Sequence, residues 1–205
     1  MEILSTLGVA LGFAALSGIN LYLTTLIAGL AIRFNWLNLA DQYESLAVLA
    51  NPWVIGVAGV FFLIEFFADK VPWLDSSWDA VHTFIRPIGG TLLALAALGE
   101  LDPAMTVIAG LLSGGTSLIT HSAKAGTRLL VNMSPEPVSN IVTSVGEDGL
   151  VLGGLGLMAF APVASFFFFL AVVILAIWII RKTWGTICKG LSALKRRCTL
   201  KAKST

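Results

Sequence analysis

Three groups of ionisable residues stand out in an otherwise apolar chain. Asp75, Asp79, His82 and Arg86 recur at i, i+4, i+7 and i+11. On a helix turning about 100° per residue they fall within about 60° on one face. His121, Lys124 and Arg128 follow at i, i+3 and i+7, so three basic side chains share a second face. Like charges at such spacing repel by about a few tenths of a kcal/mol even on a surface. The cluster therefore predicts a counter-charge: a bound anion, an anionic lipid headgroup, or the carboxylates of Asp75 and Asp79. A specific anion site would draw on His82, Arg86, His121, Lys124 and Arg128. The third group is Glu65 and Asp69, one turn apart, with the adjacent pair Glu147 and Asp148. A carboxylate inside a membrane helix is costly and marks function by default. Glu65, the deepest, is expected either to carry a proton or to partner Lys70, Lys124 or Arg128. With Asp75 and Asp79, these four carboxylates would couple protons or balance charge.

The elements that must position these groups are membrane helices. Of 205 residues, 57% are hydrophobic and only 12% charged, with a mean hydropathy of +0.88. A soluble domain carries about 25% charged residues, so there is too little charge here for a solvated skin. Residues 4–32 are uncharged, a run longer than a hydrocarbon core of about 30 Å. Glu2 replaces the basic start of a signal peptide, which favours an uncleaved first helix. Further apolar runs cover 53–68, 87–99, 103–120 and 149–180. The last would be about 48 Å long as one helix, and Pro162 is its natural corner. Six crossings then place Lys70, Arg86, Lys124, Arg128 and the basic tail on one face. The other face receives only Arg33, beside Asp41, Glu44, Glu100 and Asp102. That bias predicts both termini in the cytoplasm. Trp36, Trp53, Trp178 and Trp184 sit at run ends, where interfacial aromatics belong.

The expected fold is thus an all-α integral membrane protein of about six transmembrane helices. One transmembrane domain would cover 1–183, and a basic cytoplasmic tail 184–205. Residues 74–86 read as an interfacial amphipathic helix. The runs 87–99 and 149–161 are short and glycine-rich, and such segments point to a midplane site built from broken helices or to close packing through small residues. Leu16-Ser17-Gly18 with Thr24 is echoed by Leu112-Ser113-Gly114 with Thr120. In a six-crossing chain these copies start on opposite sides, giving a 3+3 inverted repeat of 1–100 and 101–183.

Cys188 and Cys198 both lie in the basic tail and read as free thiols. No metal-ligand spacing, phosphate loop, nucleophile elbow or nucleic-acid motif is present. No cofactor, nucleic-acid partner or enzymatic activity is therefore expected. The polar segments resemble a known family. The stretch 66–90, FFADKVPWLDSSWDAVHTFIRPIGG, resembles the signature of the bacterial membrane family called domain of unknown function 4126. THSAKAGTR at 120–128, SPEPVSN at 134–140 and the following Glu147-Asp148 resemble its other motifs. The resemblance spans roughly residues 5 to 180 and implies a multi-pass protein of the bacterial cytoplasmic membrane, with no activity attached.

Two functions fit. A small secondary transporter or translocator would move an anionic or phosphorylated molecule or lipid headgroup, with a homodimer as its working unit. A non-transporting scaffold would use the same charges as ion pairs, or bind lipid or a partner through them.

Overall fold

The computed structural model describes residues 2–36, 43–132 and 137–202, with backbone alone at 72, 137 and 187–202. Asp41, the motif residues 134–136 and the Cys188 and Cys198 side chains lie outside the described residues. Among the described residues every regular element is helical. Helix α1 covers Glu2–Arg33, and a short 3-10 helix covers Glu44–Ala50. Then follow α2 (Pro52–Ala68), α3 (Pro72–Leu98), α4 (Pro103–Asn132), α5 (Pro137–Phe160) and α6 (Pro162–Ala202). The starts are written locally. Asn51 accepts from the Trp53 amide ahead of α2, and Asp102 accepts from Ala104 and Met105 ahead of α4. Each then has proline at its first position, where a missing N–H costs nothing. Pro162 is the corner between α5 and α6, as the run length predicts.

The molecule is apolar outside and charged inside. Trp53, Phe84, Leu111 and Ile174 are exposed, whereas Glu65, Asp75, Arg86 and Arg128 are buried. Water would not tolerate that arrangement, but a bilayer requires it. Among the described residues, five helices are individually long and apolar enough to span by length and composition. The 3-10 helix and α2, joined at a 64° bend, add a sixth segment.

The path of α1 differs from a plain crossing. Asn20, at φ −149° and ψ 96°, breaks the helix. Before the break, Gly8 lies against the Pro162 carbonyl at the start of α6, and Gly12 against Met158 near the end of α5. After it, Tyr22 stacks on Phe61 at 5.0 Å, Gly29 packs on Leu49 and Ile55, and Arg33 donates to the Ala50 carbonyl at 3.2 Å. Residue numbers thus rise along α1 as they fall along α2, away from Glu65 and Asp69. The second half of α1 returns to the end of the bundle where the first half began. Glu2 and Leu98 line one cavity there, and Thr6, Tyr43 and Glu100 line another.

This fold-back corrects three expectations. The start of α1 lies beside the start of α6, so α1 does not run through the bundle as one straight span. The first half of α1 also runs parallel to α4, since Thr120 donates to Ala15 O and Lys124 to Ile19 O. The two Leu-Ser-Gly copies therefore point the same way, and they do not relate inverted halves. Finally, the break lies at residue 20, whereas 87–99 and 149–161 belong to α3 and α5. Pro87 sits inside α3 without ending it, with the Ser117 hydroxyl on the Arg86 carbonyl and the Thr91 hydroxyl on the Pro87 carbonyl. Residues 74–86 are amphipathic as expected, but their polar face is turned into the bundle and continues a 27-residue helix. The reason is that α2 supplies Glu65 to Arg86, and α4 supplies His121 and Asn132 to Arg86, Asp79 and Asp75.

Candidate functional site

The broken helix creates the first half of the site. A helix end leaves carbonyls without amide partners, and in hydrocarbon such groups need a donor. Arg86 Nη1 donates to Gly18 O at 3.1 Å, and Lys124 Nζ to Ile19 O at 3.1 Å. Both cations also face the negative end of the first half-helix. Asn20 caps the second half by accepting from the Leu23 amide at 2.9 Å. Its Nδ2 donates to Asp148 Oδ1 at 3.1 Å. Close approach here depends on glycine: a Cβ on Gly18 would collide with Ser117 and Thr120, and one on Gly90 would stand 2.7 Å from Ser117 Cβ.

Carboxylates complete the network. Glu65 Oε1 accepts from Arg86 Nη2 at 2.7 Å and from Lys124 Nζ at 3.2 Å, bridging α2, α3 and α4. Arg128 holds Glu147 through two parallel bonds, Nε–Oε1 at 3.1 Å and Nη2–Oε2 at 2.7 Å. The same Nη2 reaches Asp69 Oδ2 at 3.0 Å, and Nη1 donates to Asn140 Oδ1 at 2.7 Å. Lys124 also lies 3.5 Å from Glu147 and 3.7 Å from Asp69. Asp79 is 3.5 Å from Arg86, an ion pair without a hydrogen bond. Asp75 sits toward the α4 end, accepting from Asn132 Nδ2 at 2.7 Å.

His121 is not a cation in this arrangement. Arg86 Nη1 approaches His121 Nδ1 at 2.8 Å, and because guanidinium only donates, Nδ1 accepts. The proton is then on Nε2, which donates to Asp79 O and Thr83 Oγ1, each at 3.1 Å. His82 Nδ1 donates to Trp78 O at 2.8 Å, and its Nε2 lies 2.9 Å from the Tyr22 hydroxyl, which can donate or accept. It stacks on Trp78 and meets the Tyr22 ring edge-on, tying α3 to the returning half of α1.

The eleven residues singled out in the sequence therefore divide. Glu65, Asp69, Asp79, Arg86, Lys124, Arg128 and Glu147 form one set of ion pairs. His121 adjoins it, while His82, Asp75 and Asp148 sit at its margins. The five basic residues do not surround a common open cavity. Each permanent cation is already engaged by carboxylates, and the partners are chiefly Glu65, Asp69 and Glu147 rather than Asp75 and Asp79. Lys70 pairs with neither carboxylate group; it donates to Ser144 and lies 3.7 Å over the Phe66 ring. Asn20 and Tyr22 escaped the sequence reading. The available signal was the excess length of the uncharged run around Asn20.

Charge and hydrogen bonding are both unbalanced. Within the ion-paired set three permanent cations face four carboxylates; at its margin Asp75 and Asp148 add two carboxylates, and Lys70, joined to Asp69 through the Ser144 hydroxyl, adds one cation. Glu65 Oε2, Asp69 Oδ1 and both Asp79 oxygens are buried without a hydrogen-bond partner. Among the described residues no group of three or more His, Cys, Asp or Glu side chains is arranged to hold a metal ion.

A helical bundle with apolar outer sides and a buried ion network at a broken helix defines a polytopic integral membrane protein. The chain belongs to the family described as Domain of unknown function (DUF4126), whose model matches residues 7–182. No curated protein and no solved structure matches it.

Proposed function

We propose that the protein is a proton-coupled secondary transporter of a small anion, with the buried ion network as its coupling element. The observation that carries this reading is the surplus of carboxylates over cations, with unpartnered buried oxygens, beside a helix broken inside the bundle. Uncompensated charge in hydrocarbon is costly, and protons entering the network relieve it. Lys124 is within reach of three carboxylates, so the cations have more than one partner to choose from. Two arrangements of similar energy are what coupling needs. Broken helices with freed carbonyls serve the same purpose in other transporters. On this reading the end carrying Lys70 and the tail faces the cytoplasm of a bacterial cell, no bond in the substrate is made or broken, and a single chain holds the whole network.

The second reading, a non-transporting scaffold, is favoured by Glu65, which sits between Arg86 and Lys124 as a lock. Proteoliposomes carrying an internal pH dye separate the two. With acetate, hexanoate, benzoate or phosphate outside, transport predicts proton entry driven by at least one anion, and its loss in Glu147→Gln. Proton movement identical to empty liposomes with every anion would leave only the scaffold.

A further inference from the structure

We infer that the crevice between α4, α5 and α6 takes a small amphiphilic monoanion in exchange for the Glu147 carboxylate. The inference rests on the transport reading and names its substrate class. The crevice holds about 300 Å³ and ends at Ile19, beside the break in α1. Its inner side presents Lys124, Glu147 and Thr143, and its outer wall presents Val172, Leu175 and Ile179 from α6. One end is ionic and the rest is apolar, so the matching ligand has a charged head and an apolar body.

The head is an anion because Lys124 Nζ is the donor available there. The Thr143 hydroxyl is spent on Ser139 O, whereas Lys124 makes hydrogen bonds to Ile19 O and Glu65 and has a third hydrogen, with Glu147 at 3.5 Å and Asp69 at 3.7 Å from its Nζ. Glu147 is the carboxylate to be displaced: its side chain is 14% exposed, against 0% for Glu65 and 3% for Asp69. It is thus the network's own stand-in for the ligand. A ligand monoanion taking its place beside Lys124, with one proton entering the network that Arg128 and Lys124 share with Glu147 and Asp69, leaves the charge of the network unchanged. A dianion would not. At about 30 Å³ per water-sized volume, the space suits a ligand of about ten non-hydrogen atoms.

The test is calorimetric titration of the full-length protein in nanodiscs of zwitterionic lipid, with octanoate as probe and inorganic phosphate and octanol as the tail-less and uncharged controls. Repeating it in buffers of different ionisation enthalpy counts protons. Octanoate is expected to bind with uptake of one proton, and the controls not to bind. Glu147→Gln should keep octanoate binding and lose the proton uptake. Leu175→Trp, at a lipid-exposed wall position, should weaken binding at least tenfold. Nanodiscs containing phosphatidylglycerol distinguish the source: competition with octanoate assigns the head to a lipid, and its absence to a free solute. Octanoate heats that are the same in the native protein, Glu147→Gln and Leu175→Trp would overturn the site. Binding with proton uptake but no flux in proteoliposomes would instead overturn transport and leave the site standing. Flux of other anions without octanoate binding would do the reverse.

Discussion

Glu65 illustrates how a buried charge is held in this protein. Its carboxylate is fully buried and bonded to two cations from two other helices. Removing one partner of such a pair leaves the other charge uncompensated, which costs about 3–5 kcal/mol, whereas replacing both partners by apolar groups is often nearly neutral. Glu65→Ala should therefore lower the unfolding free energy by about that amount. Arg86→Met alone should also destabilise, and Glu65→Leu with Arg86→Met should destabilise less than the two single changes added together. Thermal unfolding of the purified variants in detergent checks this. Additive losses would mean that the 2.7 Å contact carries no coupling. The residue types of the network were legible in the sequence, because spacing on a helix face does not depend on where the helix sits. Their partners were legible only in part: Glu65 is expected beside Lys124 and is found there. Periodicity says which side chains share a face, and it is silent on what that face meets, so Asp75 and Asp79 looked like the partners that Asp69 and Glu147 turn out to be.

The broken α1 is the element on which the rest depends. An uncharged run interrupted by one asparagine reads as one long helix, since a single Asn is compatible with a membrane span. What breaks it is tertiary: Arg86, Lys124 and Asp148 together satisfy the groups that the break exposes. Asn20→Ala removes a cap worth about 1 kcal/mol together with the bond to Asp148. Its unfolding free energy should fall by about 1–2 kcal/mol, and a variant as stable as the parent would contradict the capping role. The same break explains why the repeat was misread. Direction of the second copy follows from the parity of crossings, and one fold-back changes that parity. In α3 and α4, by contrast, the amphipathic pattern survives intact, and the inward turn of the polar face is its one departure from expectation.

At the scale of the whole molecule, the inverted distribution of charge and the corner at Pro162 followed directly from composition and run length. The sidedness of the chain did not, because the basic-residue bias is nearly the same whether α1 crosses or returns. Arg33, Glu44 and Glu100 remain at the end away from the tail in either case. Only the position of the first residues changes, and that is where the account is most exposed to test. In a background of Cys188→Ser and Cys198→Ser, Glu2→Cys can be labelled with a membrane-impermeant maleimide on intact cells, beside the parent protein as a control for the tail thiols. A first helix that turns back at Asn20 predicts labelling of Glu2→Cys from outside, and labelling of the tail cysteines only after lysis. Protection of Glu2→Cys and the tail cysteines alike in intact cells, with labelling of both on lysis, would show that α1 crosses the membrane and would contradict the account.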